Sequence, residues 1–198
     1  MADDALMVRA DGVVAGRGYV GRERAAEVAA AVPESSTRIL DWLRNLSGDG
    51  DGDWRRFERL AGVAVHLHPD GLAPILTSVL ASGARGVTAE DLVDMLGELR
   101  APEAVEAISS LVQGRKDSDG PMYALCVKGI QSLGEIGTPE ANRFLKGIAT
   151  SEPSAWPAPL RWHAAEELGI EDELGFDEDE MLGGYRQPGV TWRTEGLG

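Results

Sequence analysis

Cysteine is almost missing from this chain: Cys126 stands alone, so no internal disulfide can form and packing must hold the fold together. Aromatic side chains make up only 6% of residues, which leaves the core to Leu, Ile, Val and Ala, the side chains on which helix pairs pack. Lysine is rarer still, being confined to Lys116, Lys128 and Lys146. No run of about 18 apolar residues occurs, so a membrane-spanning helix is not expected. The acidic opening Met1-Ala2-Asp3-Asp4 does not resemble a secretory signal, and a cytoplasmic location is the expectation. Glycine-rich phosphate loops, serine elbows and metalloprotease helices are also missing, and no catalytic residue is expected.

Carboxylates are what the chain has in excess. Asp and Glu number 33 against 19 Lys and Arg, a formal net charge of −14. From residue 151 onward there are eleven acidic residues and three arginines, so eight of the net negative charges lie in the last quarter. Nucleic-acid affinity comes mainly from basic side chains displacing counterions from phosphates, so direct DNA or RNA binding is disfavoured. Basic partners would be attracted instead, but surplus carboxylates more commonly serve solubility alone.

Apolar spacing divides most of the chain into helices. Residues 1–21 mix Gly and Asp with short Val-rich pieces and read as an irregular lead-in or a weak hairpin. Helices are expected over Arg22–Val32, Glu34–Leu46, Trp54–Leu67 and Asp70–Ala81. From Thr88 the pattern becomes periodic. Thr88 and Asp91 resemble a capping box opening a helix that runs to Leu99. Pro102 suits the first turn of the following helix, and Thr138-Pro139 repeats that start.

The periodicity is a repeat in the strict sense. Leu96-Gly97-Glu98-Leu99 with Pro102-Glu103-Ala104 is answered by Leu133-Gly134-Glu135-Ile136 with Pro139-Glu140-Ala141, and a partial third copy follows at Leu160-Arg161, Ala164-Ala165 and Leu168-Gly169-Ile170. A period of 35 to 37 residues is that of stacked helix pairs, each too small to bury its own apolar face. Leu133-Gly134-Glu135-Ile136-Gly137-Thr138-Pro139-Glu140-Ala141 resembles the short bacterial type of HEAT-like repeat, and the resemblance covers roughly residues 88 to 170. The first copy departs from it in having Arg100 where the second has Gly137. The resemblance implies an all-α, right-handed α-solenoid of antiparallel helix pairs over residues 22–170, followed by an acidic tail or cap at 171–198, with one face used for protein binding. Rarer relatives of that type are enzymes, such as bilin lyases, but no lyase motif is present.

Superposing the copies aligns Asp91, Lys128 and His163 in one row and Asp94, Gln131 and Glu166 in the next, with Glu90, Val127 and Trp162 alongside. These rows are expected to line the inner curve, with Trp162 as an anchor. The expected function is a non-enzymatic adaptor or inhibitor that holds a protein partner there.

A calcium-responsive module is the alternative. Ser47, Asp49, Asp51 and Glu58 occupy the first, third, fifth and twelfth places of an EF-hand-like loop with Gly52 sixth, but a serine replaces the leading carboxylate and Arg55 stands ninth. No cofactor other than this calcium is suggested. His66 and His68, two apart, would point to different sides of a helix, and Cys126 falls on an apolar face as a structural thiol. In the tail, Leu174, Phe176, Tyr185 and Trp192 sit among carboxylates and glycines, as in a segment that either caps the last repeat or orders on a partner.

Overall fold

The computed structural model of the chain describes residues 2–16, 18–48, 53–120, 122–177 and 181. It is all-α: among the described residues there are ten α-helices, one 3₁₀ turn and no strand. The helices are α1 (Ala2–Val14), α2 (Arg22–Ala31), α3 (Ser35–Gly48), α4 (Trp54–Leu67), α5 (Leu72–Ser82), α6 (Ala89–Glu98), α7 (Val105–Arg115), α8 (Ala124–Ile136), α9 (Pro139–Ala149) and α10 (Ala158–Leu168). Among the described residues no helix is long and apolar enough to cross a membrane.

Helix contacts follow two alternating series. The even helices touch in the order α2, α4, α6, α8, α10, and the odd ones in the order α3, α5, α7, α9. Between the series lies one continuous cluster of buried apolar side chains, reaching from Ala10 in α1 to Ala165 in α10. Leu92 and Leu96 of α6, Ile108 of α7, Ile130 and Leu133 of α8, and Leu145 of α9 are fully buried in it. Each such side chain contributes about 2 kcal/mol by leaving water, so the shared seam is what holds neighbouring helices in place.

The first 21 residues correct the sequence reading. Ala2–Val14 is a helix, not a hairpin or an irregular lead-in, and its Ala10 and Val14 belong to the common core. Leu6, Ala10, Val13 and Val14 have helical spacing, and the Asp11-Gly12 pair had disguised it as a turn. Asp11 is 6% exposed and is held by α4: Arg59 donates from Nε to Oδ1 at 2.6 Å and from Nη2 to Oδ2 at 2.9 Å, while Arg56 Nε donates to Oδ2 at 3.2 Å. Trp42 Nε1 of α3 donates to Asp3 at 3.0 Å, a second tie to α1.

Helix ends explain further departures. Thr138 caps α9 as expected, its hydroxyl oxygen accepting from the Ala141 amide at 3.2 Å. Thr88 does not form a reciprocal box with Asp91; its backbone amide donates to Glu58 of α4 instead, which joins two even helices. Pro102–Ala104 is a 3₁₀ turn, and α7 begins after it. Gly137 ends α8 with φ 64°, and Arg100 takes the same left-handed conformation at the matching place with φ 48°. The turn geometry is thus kept without the glycine that normally makes it cheap.

Candidate functional site

The exposed side of the even series presents a line of carboxylates. Glu58 stands on α4, Asp91, Asp94 and Glu98 on α6, Glu135 on α8, and Glu166 and Glu167 on α10. Glycines in the repeat let these helices carry such side chains between them. The Glu135 carboxylate lies over Gly97 of α6, where a Cβ would come within 2.3 Å of its Oε2, and Glu167 lies over Gly134 of α8, where a Cβ would come within 2.0 Å. Each Leu-Gly step therefore clears space for a carboxylate of the next even helix.

Crowding of like charge leaves its mark on protonation. Burial pushes the Asp91 carboxyl above its usual range, and the charge of Glu58 adds to this while Lys128 opposes it. Glu135 is raised by burial and then by Asp94 and Glu98, against Arg100 and Lys128. Glu167 is raised by burial and then by Glu135 and Glu166. These shifts tie the carboxylates of α4, α6, α8 and α10 into one electrostatic unit.

Of the residues aligned by the repeat, Asp94 and Lys128 are brought together as an ion pair between α6 and α8. His163 Nδ1 and Glu166 lie 3.0 Å apart within α10. Gln131 is exposed on α8 and Asp91 is exposed on α6. Trp162 does not serve as the expected open anchor: it is only 5% exposed and stacks against the His163 ring, 4.6 Å between centroids. Glu90 and Val127 of the same row are half-buried.

At the α4–α6 end the carboxylate line opens into a cleft of about 700 Å³. Its walls are the 18–20 segment, Arg55, Glu58, Arg59 and Gly62 of α4, Asp91, Asp94, Met95 and Glu98 of α6, and Glu135 of α8. Val20 is buried against Gly62, and its carbonyl oxygen lies 2.9 Å from His66 Nε2, which pins the segment to α4. The next residue outward, Tyr19, is 76% exposed. Its hydroxyl interacts with Glu98, and partial desolvation, with the charges of Glu98 and Asp94, pushes its pKa up.

No family model, curated protein or solved structure matches the chain. The chemistry of the site has to be read from its own residues.

Sequence reasoning found Asp91, Asp94, Lys128 and Glu166, named Glu58 only as a calcium ligand, and passed over Glu98, Glu135, Glu167 and Tyr19. The signal for two of these was present, since Glu98 and Glu135 are the same position of the Leu-Gly-Glu repeat. For the calcium alternative, Ser47 lies at the end of α3 with its hydroxyl donating to Arg44 O, and Glu58 accepts from Thr88, while Asp49, Asp51 and Gly52 lie outside the described residues. Among the described residues no three His, Cys, Asp or Glu side chains meet in an arrangement able to hold a metal ion. Cys126 is buried, and burial, followed by Asp119, pushes its thiol up to about 12, far from a nucleophile's range. In the tail, Phe176 packs on the core with Arg161 over its ring at 5.5 Å while Leu174 is exposed; Tyr185 and Trp192 lie outside the described residues.

Proposed function

We propose that the chain is a non-enzymatic adaptor or inhibitor of HEAT-like solenoid type that holds a basic protein segment along its even helices. The carrying observation is the line of seven carboxylates from Glu58 to Glu167, spread over four successive helices of one contact series. The 35- to 37-residue period and the alternating helix contacts support the solenoid reading, with the even helices as its inner curve. Three of the seven carboxyls are raised by burial and by one another, so a cation brought among them relieves repulsion as well as forming new pairs. The chain's own cations on this side are few and partly spent, Lys128 on Asp94 and Arg59 on Asp11.

Isothermal titration of the full chain with a basic peptide and with an acidic peptide of equal length tests the reading. The basic peptide should bind, with affinity falling steeply as salt rises, because exposed charges more than about 10 Å apart are screened at 0.1 M. A triple E135Q/E166Q/E167Q variant that is folded and binds as tightly as the wild type would refute the placement on the even helices.

A further inference from the structure

The cleft at the α4–α6 end differs from the rest of the carboxylate line in having walls and an aromatic side chain. Five carboxylates line it (Glu58, Asp91, Asp94, Glu98 and Glu135), with two arginines. Of the two, Arg59 is already committed to buried Asp11 through two hydrogen bonds. Thr88 satisfies Glu58 through a neutral amide, and Glu98 interacts with the neutral phenol of Tyr19. Direct charge compensation for the five carboxylates thus falls to Arg55 on the wall and to Lys128 at Asp94.

Tyr19 is the second observation. An aromatic ring left 76% exposed is unusual where it could have joined the apolar core, and its neighbour Val20 is buried. The backbone explains why the ring stays out. Val20 is fixed against Gly62 and His66, and the Tyr19 carbonyl accepts from Arg24 Nη1 at 2.8 Å, so the ring stands at the cleft wall on a segment anchored at both its carbonyls. An exposed aromatic ring in a carboxylate-lined cleft is the combination that suits a guanidinium, which is planar, stacks on aromatics and pairs with a carboxylate through a fork of N–H donors.

From this geometry we infer that the cleft is the seat of one arginine side chain of the basic protein partner, stacked on Tyr19 and paired with Glu98. The inference rests on the proposed basic-partner function and names the place and the side chain through which it acts. On entry the guanidinium takes over Glu98, and the Tyr19 hydroxyl turns from Glu98 to solvent while its ring covers the new pair. The carboxylates of α8 and α10 then guide the rest of the basic segment away from the cleft.

The test uses the full chain and a fluorescently labelled eight-residue Gly-Arg repeat peptide, followed by polarisation at low salt. Y19A and E98Q should each weaken binding about fivefold, whereas Y19F, which keeps the ring, should stay within about twofold of wild type. E106Q, which removes the same charge from an exposed position of α7, should also stay within about twofold. Tyr19 is largely exposed and E98Q preserves shape, so both variants should melt with wild-type cooperativity. Wild-type-like affinity in Y19A and E98Q, or equal weakening by E106Q, would overturn the arginine seat while leaving the basic-partner function standing. Absence of any binding to wild type would instead overturn the function itself.

Discussion

At the residue scale, glycine does opposite jobs at neighbouring places. Gly129 of α8 faces α7, where a Cβ would come within 2.3 Å of Val112 Cγ2 in a closed core. Gly147 of α9 has nothing within 4 Å of a Cβ and is exposed. Gly129→Ala should therefore destabilise by about 1–2 kcal/mol through overpacking, while Gly147→Ala should stabilise by about 0.5–1 kcal/mol through reduced backbone entropy of the unfolded chain. Urea denaturation of the two variants should move the midpoint in opposite directions. Arg100 offers a third case. A non-glycine residue at φ 48° bears a steric cost that glycine avoids, so Arg100→Gly should raise stability by about 1 kcal/mol, read as a higher melting temperature.

Among elements, the joint between α1 and α4 carries the most concentrated polar interaction. Burial alone would raise the Asp11 carboxyl, but the hydrogen bonds from Arg59 and Arg56 outweigh it and hold the group below its usual value. Asp11→Asn keeps the shape, loses the charge and should cost about 2 kcal/mol, with α1 amides losing hydrogen-exchange protection before those of α6 and α8. The sign of its pH dependence follows from the lowered pKa. The Asp11 contribution is fully present above the unfolded value of about 3.9 and is lost as pH falls through the lower folded value, and the Asn variant should lack that loss.

Over the whole molecule the balance runs the other way. Asp91, Glu135 and Glu167 have raised pKa values, so each opposes folding at neutral pH, and that opposition fades as pH falls through the raised values toward about 4.3. Melting temperature should thus rise on acidification from pH 7 as the raised carboxyls are protonated, then fall below about pH 4 as Asp11 is protonated. Added salt at pH 7 should raise it too, since screening weakens the same repulsion. A melting temperature that neither rises on acidification from pH 7 toward about 4 nor responds to salt would mean that the carboxylate line is not electrostatically coupled.

Helices α2 to α10 were legible because an apolar side chain every three or four residues can be buried only on a helix, and because Pro, Thr and Gly punctuate the ends. The Leu-Gly-Glu repeat announced that neighbours share a seam. Helix α1 was misread since Gly12 and Asp11 look like a turn when nothing shows that Arg56 and Arg59 wait for that carboxylate. Trp162 was misplaced because aligning copies by number does not show how deeply each position is buried. What the one-dimensional order determined, then, is local: helical periodicity, caps, the repeat period and the surplus of negative charge. Only tertiary structure decided that carboxylates from three helices and the ring of Tyr19 share one cleft, because electrostatic interaction depends on distance through space, and residues 19, 58, 98 and 135 become neighbours only when the even helices lie side by side.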